Sequence, residues 1–333
     1  MLMMRHRMLI VIAVLIAAVA LAGCGEKEAA KKDVTIVFGE AGWDSIKFHD
    51  AVAMYIIQNA FGYKTEEVSG ATAITYSALL KGDIDVYMEI WTDNLATYKD
   101  DIASGKIKEV GVNFDDNAQG LYVPRYVMEG DAARGIEPMA PDLEYVADLA
   151  KYSQVFTDAE EPGKGRMYGA IPGWEVDNIV FAKYQHYGLE DNFVYFRAGS
   201  DAALAAAFAA AYEKGQPIVG YYWEPTWLTG KYDLILLKDE PYDASVYRSG
   251  ECEFPAVPVT ICVSAQMEEK APEVVRFLEK YRTSSAMTSA ALAYIEQSNA
   301  FYMDAAKWFL REYEEVWTAW LSEKEVKAIK ATL

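Results

Sequence analysis

Apolar residues follow two spacings that alternate along the chain, and this alternation predicts an α/β protein. Val34 to Phe38 is a β-branched run typical of a strand, and Ser45 to Phe61 carries apolar residues three to four positions apart, which is typical of a helix. Gly62 ends this helix. The first unit continues with a short strand near Glu66 to Val68, a helix from Ala73 to Lys81 and a strand from Ile84 to Ile90.

The same order of elements returns in the second half of the chain. Its members are a strand from Arg166 to Ala170, a helix from Glu175 to Tyr187, a strand from Phe193 to Phe196, a helix from Ser200 to Lys214 and a strand from Ile218 to Tyr222. Strands that alternate with helices in this way pair in parallel through right-handed crossovers. The sequence therefore predicts two similar halves, each with a mostly parallel sheet.

Four tryptophans occupy matching places in these two halves. Trp43 and Trp174 each follow a glycine just before the first helix, and Trp91 and Trp223 each follow the third strand. The two tryptophans of a half are 48 residues apart in the first half and 49 in the second. Ligands bind beyond the carboxyl ends of parallel strands, so we expect all four to meet at one site. The alternative is core packing, which we expect for the other mature-chain tryptophans, Trp227, Trp308, Trp317 and Trp320.

Tryptophan rings suit a cationic ligand that has no N–H to donate. A trimethylammonium group gives hydrogen-bonding side chains nothing to hold, whereas the electron-rich face of an indole attracts it. Sugars also stack on aromatic rings, but they need several polar anchors, and no such cluster is evident near the four tryptophans. A sugar or an amino acid remains the rival ligand.

Groups that could catalyse a reaction are scarce. Beyond His6 the chain has only His49 and His186, both within predicted helices, and no nucleophile elbow, phosphate loop or metal-ligand spacing occurs. We therefore expect a binding protein, not an enzyme, with no cofactor and no metal. A hydrolase that uses only carboxylates is the alternative left open by the many acidic residues.

The charge of the chain bears on its partners. There are 50 acidic and 31 basic residues, a net charge of −19. Loss of Arg5 and Arg7 with an exported leader would change this to −21. Such a charge argues against nucleic acid as a partner. It would attract a cation, although solubility explains it equally well.

The N-terminal segment predicts export and lipid anchoring. Arg5 and Arg7 precede an apolar run from Met8 to Ala20, and Leu21-Ala22-Gly23-Cys24 closes the segment. This order is that of a signal peptide, and the closing residues resemble the lipobox of bacterial lipoproteins. We expect residues 1–23 to be removed, Cys24 to carry lipid, and residues 24–32 to tether the fold to the outer face of the membrane. The alternative, a transmembrane anchor, needs roughly 20 apolar residues.

Two cysteines remain after Cys24. Cys252 and Cys262 form an even pair in an exported chain, which makes them a candidate disulfide. Two buried free thiols are the alternative, and the sequence does not choose between them.

Five motifs resemble those of the binding proteins of glycine betaine, proline betaine and choline ABC importers. They are Gly62-Tyr63, Leu80-Lys81-Gly82-Asp83-Ile84-Asp85-Val86, Glu89-Ile90-Trp91-Thr92, Ile171-Pro172-Gly173-Trp174 and Tyr221-Tyr222-Trp223-Glu224-Pro225. The resemblance extends from Val34 to about Trp320. It implies a transport receptor that works with a membrane permease and a cytoplasmic ATPase.

The resemblance also implies roles for particular residues. Trp91, Trp174 and Trp223 match the tryptophans that form the ammonium cage in that family, and Trp43 matches a further cage aromatic of the choline-binding members, with Asp44 as a counter-charge. The backbone amides of Glu175 and Val176 match those that contact a betaine carboxylate, at a helix N-terminus suited to an anion.

Two departures bear on the identity of the ligand. Some betaine binders carry a histidine where this chain has Leu95, and Glu175 puts a negative charge beside the expected carboxylate site. Choline, or another quaternary ammonium compound, is therefore a second candidate beside glycine betaine.

The fold that the resemblance implies is that of a type II periplasmic binding protein. One lobe would combine residues 33–122 with 255–333, and the other would comprise 123–254. A hinge of two crossings would join them, near 121–124 and 254–255, where Tyr122 would either line the cleft or pack.

Overall fold

A computed structural model describes residues 33–333 of the chain. The expected signal peptide (1–23), tether (24–32) and lipidated Cys24 lie outside these residues. Within residues 33–333, none of the helices has both the length and the apolar character needed to cross a membrane.

Strands and helices alternate through most of the described chain. The strands are β1 (Thr35–Glu40), β2 (Lys64–Ser69), β3 (Val86–Trp91), β4 (Ile107–Phe114), β5 (Ala118–Pro124), β6 (Gly165–Tyr168), β7 (Phe193–Phe196), β8 (Gly220–Glu224), β9 (Leu234–Leu236) and β10 (Val259–Ser264). The helices are α1 (Asp44–Ile56), α2 (Thr72–Lys81), α3 (Tyr98–Ala103), α4 (Arg125–Glu129), α5 (Glu175–His186), α6 (Asp201–Lys214), α7 (Trp227–Lys231), α8 (Met267–Lys270), α9 (Pro272–Leu278), α10 (Ser285–Ser298), α11 (Tyr302–Glu312), α12 (Glu314–Trp317) and α13 (Glu323–Lys330).

Two five-stranded sheets with the same internal layout organise these elements. One has the order β2-β1-β3-β10-β4 and the other the order β7-β6-β8-β5-β9. In each, the first three strands are parallel, and the fourth, β10 or β5, is antiparallel to both of its neighbours. The fourth strand of each sheet is therefore contributed from a distant part of the chain. This confirms the predicted two-lobed binding-protein fold.

The elements of the two predicted repeats match the structure closely. The helix expected from Ser45 to Phe61 is α1 followed by one π-helical turn, Ile57–Phe61, and it ends at Gly62, whose φ is 80°. Glycine suits this end because it adopts a left-handed conformation without steric cost. The strands differ from the prediction by only a few residues at their ends.

The chain passes between the sheets slightly earlier than expected. Strand β4 ends at Phe114 in the first sheet, and β5 begins at Ala118 in the second. The first crossing therefore precedes Ala118, whereas the sequence placed it near 121–124. The return crossing lies between β9, which ends at Leu236, and β10, which begins at Val259.

The C-terminal helices cover one face of the first sheet. A buried cluster joins Phe38 and Val86 of the strands to Phe309, Trp317 and Trp320 of the C-terminal segment. Trp317 is fully buried and its indole N–H donates to the carbonyl of Leu310. Packing is thus the role of these two tryptophans.

The candidate disulfide is absent from the structure. Cys252 and Cys262, the two cysteines among residues 33–333, are both free and buried. Cys262 lies on β10 in the first sheet beside Tyr98, whereas Cys252 lies in the second lobe, where the backbone N–H of Asp243 donates to its sulfur. The two thiols have different neighbours and are not bonded to each other.

Candidate functional site

Equivalent elements of the two lobes carry the four tryptophans. Trp91 ends β3 and Trp223 lies near the end of β8, and these are the third strands of the two repeats. Trp43 and Trp174 lie in the loops after β1 and β6, where each is the N-cap residue of the following helix. Both N-caps have extended backbone angles and no side-chain cap.

A glycine with positive φ precedes each N-cap tryptophan. Gly42 has a φ of 102° and Gly173 a φ of 89°. A side chain at Gly173 would also clash, since its Cβ would lie 2.9 Å from the Cβ of Ala71 in the other lobe. Glycine therefore permits both the sharp turn and the approach of the two lobes.

The four tryptophans line one cavity between the lobes. The cavity and its opening to solvent together hold about 470 Å³ of empty space. Its lining residues are Trp43, Thr72, Tyr87, Glu89, Ile90, Trp91, Asn94, Leu95, Trp174, Glu175, Val176, Tyr221 and Trp223.

The indole rings lie edge to face and not stacked flat. The ring centroids of Trp43 and Trp174 are 5.3 Å apart at an angle of 84°, and those of Trp174 and Trp223 are 5.1 Å apart at 78°. Trp91 makes a similar contact with Phe114, at 6.0 Å and 75°. This arrangement turns the ring faces in several directions around the cavity.

Hydrogen bonds fix two of the rings. The indole N–H of Trp43 donates to the Oε2 atom of Glu89 at 2.6 Å, and that of Trp174 donates across the lobes to the carbonyl of Ala41 at 3.1 Å. Trp43, Trp174 and Trp223 are 6%, 8% and 4% exposed, whereas Trp91 is partly exposed. The two hydrogen bonds restrain the orientation of the Trp43 and Trp174 rings.

Glu89 is a buried carboxyl in the wall of the cavity. Its side chain is fully buried on β3, and its Oε2 atom also accepts from the hydroxyl of Ser45 at 3.0 Å. Burial raises the pKa of this carboxyl from 4.5 to about 7, and the hydrogen bonds from Trp43 and Ser45 oppose that shift.

A polar network continues from Glu89 to the C-terminal helices. The Nε2 atom of His49 lies 3.6 Å from the Oε1 atom of Glu89 and 3.2 Å from the hydroxyl of Thr288, and its Nδ1 atom bonds the hydroxyl of Tyr281 at 2.7 Å. Burial lowers the pKa of His49 to about 3, so the imidazole is neutral near pH 7. His49 is a packed polar residue and does not line the cavity.

Helix α5 points its N-terminus at the cavity. Glu175 and Val176, its first two residues, both line it. The first N–H groups of a helix have no acceptor within the helix, and their partial positive charge favours an anion.

Two of the residues predicted for the site lie elsewhere. Asp44 does not line the cavity: it begins α1 immediately after the N-cap, its Oδ1 atom accepts from the hydroxyl of Tyr302 at 2.6 Å, and Lys47 lies 3.6 Å away. Tyr122 is also absent from the lining, because its side chain is buried and its hydroxyl donates to Glu224 at 3.3 Å. The prediction of Asp44 as counter-charge is therefore wrong, and Tyr122 has a packing role.

Three lining residues that the sequence analysis missed share a simple signal. Alternate residues of a strand point to the same side. Tyr87 and Glu89 precede Trp91 at this spacing on β3, and Tyr221 precedes Trp223 in the same way on β8. Extending the alternation back from each tryptophan would have found all three.

Comparison with known proteins identifies the family. The family described as the substrate binding domain of ABC-type glycine betaine transport systems matches residues 34–312. The chain belongs to this family. It is accordingly a substrate-binding protein of the betaine and choline ABC transporter family, whose members are solute-binding proteins of the extracytoplasmic side.

Individual relatives have low sequence identity to this chain, but the similarity covers most of both chains. The trimethylamine N-oxide-binding protein of Pelagibacter ubique is 24% identical over 314 residues, which is 92% of this chain and 96% of the relative. A solved ABC-transporter choline-binding protein in complex with choline has a TM-score of 0.68 and 22% identity, covering 90% of this chain and 97% of its own. The glycine betaine, L-proline-binding protein ProX from Borrelia burgdorferi has a TM-score of 0.68 and 18% identity, covering 89% and 99%.

Proposed function

We propose that this protein holds a small quaternary ammonium compound, glycine betaine or a close relative, in the tryptophan cage and delivers it to its ABC permease. The main support for this proposal is that two tryptophans of each lobe line the same cavity: Trp43 and Trp91 from one lobe, and Trp174 and Trp223 from the other. Choline is the alternative ligand for the same cage, and a sugar or amino acid is a less favoured one.

Four indole faces can supply the affinity that a transport receptor needs. Each desolvated cation–π contact contributes roughly 0.5–2 kcal/mol. Three or four of them supply a large part of the roughly 8 kcal/mol that micromolar binding requires. Closure of the lobes excludes water from the contacts and so strengthens them.

The ligands of the relatives agree with such a cage. Glycine betaine, choline and trimethylamine N-oxide, which are named for three of the proteins found, all carry a nitrogen with three methyl groups. The lining of this cavity, mainly aromatic and aliphatic with few polar groups, suits that shared part better than it suits a sugar.

The polar end of the ligand would lie toward helix α5. The amides of Glu175 and Val176 can donate to a carboxylate or a hydroxyl oxygen while the methylated nitrogen lies among the indoles. Two helices begin at residues that line the cavity, α5 at Glu175 and α2 at Thr72. The assignment uses α5, whose first two residues both line it.

Binding should be measured first with a panel of ligands. Isothermal titration of the mature protein with glycine betaine, proline betaine, choline and carnitine should give micromolar dissociation constants for at least one of them. A sugar such as glucose should give no heat of binding. Binding of a sugar in place of every quaternary compound would contradict the proposal.

Single tryptophans should then be removed. Trp91→Ala and Trp223→Ala should each lower the affinity for the tightest-binding ligand by roughly one to two orders of magnitude, because each loses a cation–π contact and its buried apolar area. Trp308→Ala is the matched control, because Trp308 stacks on Tyr294 outside the cavity and its loss should leave the affinity unchanged. Unchanged affinity in both cage variants would contradict the cage.

We also propose that the protein is anchored to the membrane by lipid on Cys24. The support is the order of Arg5 and Arg7, the apolar run and Leu21-Ala22-Gly23-Cys24. The wild-type protein expressed in a bacterium should incorporate labelled palmitate and sediment with membranes. Cys24→Ser should abolish both properties, and membrane association without label would instead indicate a protein anchor.

A further inference from the structure

The charges that line the cavity are all negative. Glu89 and Glu175 are its acidic lining residues, and no lysine, arginine or histidine among residues 33–333 contributes to the lining. Leu95, an apolar residue, also lines the cavity. A ligand carboxylate would therefore meet only neutral donors in this lining, such as the amides of α5, and would have Glu175 close by.

Glu89 is placed to exert the strongest field on a ligand. It is fully buried, whereas Glu175 is partly exposed. Water and salt screen a buried charge much less than an exposed one. The Oε2 atom of Glu89 accepts from Trp43 and Ser45, while its Oε1 atom is buried without a hydrogen-bond partner. The two donors hold the carboxyl beside the cage ring of Trp43.

We infer that Glu89 is the counter-ion of the bound ammonium group and that it makes the site select ligands with a net positive charge, choline and its analogues, over zwitterions such as glycine betaine. This inference rests on the proposed cage and, within its ligand class, makes choline and not glycine betaine the preferred ligand. A net cation gains the full attraction of Glu89, whereas the carboxylate of a zwitterion cancels part of it.

Binding of a cation should release a proton. The pKa of Glu89 is about 7, because burial disfavours the charged form. A positive ligand in the cavity favours the ionised carboxylate and so lowers this pKa. Near and below pH 7 the site must therefore lose a proton to bind, and the affinity rises with pH until Glu89 is ionised in the free protein as well.

The groups packed around Glu89 add no positive charge. From α1 it faces His49, whose pKa of about 3 keeps it neutral, and Asp50, whose pKa burial and nearby carboxylates raise. Glu40 on β1 and the phenols of Tyr87 and Tyr281 complete its surroundings. None of these neighbours carries a positive charge near pH 7.

The test combines one variant with a pH series. Choline and glycine betaine are titrated into the wild type and Glu89→Gln at pH 6, 7 and 8, where neither ligand changes its charge. In the wild type, choline affinity should rise about three- to tenfold from pH 6 to pH 8, within the ceiling of tenfold per pH unit for one linked proton, and glycine betaine affinity should rise less. Titrations in buffers of different ionisation enthalpy should show proton release.

Glu89→Gln keeps an oxygen that can accept from Trp43 and Ser45 but removes the charge. It should lower choline affinity about tenfold at pH 8, abolish the pH dependence and bring the two ligands closer in affinity. Glu109→Gln is the control. Glu109 lies on β4 outside the cavity and accepts a hydrogen bond from Tyr98 of α3. The same change of charge at this position should leave choline affinity unchanged.

Two failures can be told apart. Tighter binding of glycine betaine than of choline by the wild type would overturn the role of Glu89. So would a choline affinity of the wild type that does not change with pH, a result that does not depend on the folding of any variant. If Trp223→Ala still weakens binding in that case, the cage stands and only the inference about Glu89 is lost. If no quaternary compound binds, the proposed function itself is wrong.

Discussion

Glu89 is the carboxyl of the candidate site whose pKa is shifted by burial. A carboxyl with a pKa of about 7 in the folded protein and about 4.5 in the unfolded chain binds its proton more tightly when folded. Its contribution to stability is complete below pH 4.5 and is lost as the pH rises through 7. His49 acts in the opposite sense, since its pKa is lowered to about 3 and stability rises with pH between 3 and 6.5.

Comparison of wild type with Glu89→Gln isolates the carboxyl. The variant should unfold at a higher denaturant concentration than the wild type above pH 7, and the difference should shrink toward pH 4.5. The linkage allows up to about 3 kcal/mol for a shift of this size. Urea unfolding of the ligand-free proteins at pH 5, 6, 7 and 8 measures the difference. A difference that does not change with pH would show that Glu89 titrates normally.

Helix α5 is the element that would decide whether a carboxylate ligand is accepted. Its first residue, Glu175, carries both an N–H that can donate to an anion and a side chain that repels one. These two effects can be separated, because proline at the first position of a helix removes the N–H without breaking the helix.

We predict opposite effects of two substitutions at Glu175. Glu175→Ala removes only the charge and should raise the affinity for glycine betaine. Glu175→Pro removes the N–H as well and should bind glycine betaine about 10- to 100-fold more weakly than Glu175→Ala, the usual cost of losing a hydrogen bond to a charged group. Calorimetric titration of both variants gives the ratio. Equal affinities would place the carboxylate away from this amide.

Closure of the two lobes is the property of the whole molecule on which the cage depends. Contacts across the cleft include the bond from Trp174 to Ala41, the hydroxyl of Tyr247 donating to Asn94 at 2.8 Å, and Arg248 donating to the carbonyl of Asp93 at 2.9 Å. Only the closed state forms the complete cage. The apparent dissociation constant therefore rises in inverse proportion to the fraction of molecules that can close.

Substitution of Gly173 should weaken every ligand alike. Gly173→Ala would place a Cβ 2.9 Å from Ala71 of the opposite lobe, and overpacking of this kind costs about 1–3 kcal/mol. We expect choline and glycine betaine to lose affinity by the same factor, about tenfold. Gly188→Ala is the control, because its φ of 60° gives similar backbone strain with no atom within 4 Å. An effect on one ligand only would argue against a closure mechanism.

The fold and much of the cavity could be predicted because both depend on local patterns. The repeated units and the positions of Trp43, Trp91, Trp174 and Trp223 follow from hydrophobic periodicity and from the rule on strand ends. Strand β10 could not be placed, because its partners β3 and β4 lie more than a hundred residues away in sequence. The sequence analysis put Asp44 in the cavity because it follows Trp43. At the start of a helix, however, successive side chains point in different directions, and that of Asp44 contacts Tyr302 instead.

The central claim is that indole faces hold a positive charge, and one comparison tests it directly. Choline and 3,3-dimethylbutan-1-ol have nearly the same shape, but the second has carbon in place of the charged nitrogen. In calorimetric titrations of the mature wild-type protein at pH 8, choline should bind with micromolar affinity and the neutral alcohol at least about 100-fold more weakly, since the cation–π contacts and the attraction of Glu89 are lost together. Similar affinities for the two compounds would show that the cavity recognises only apolar shape, and would contradict the account.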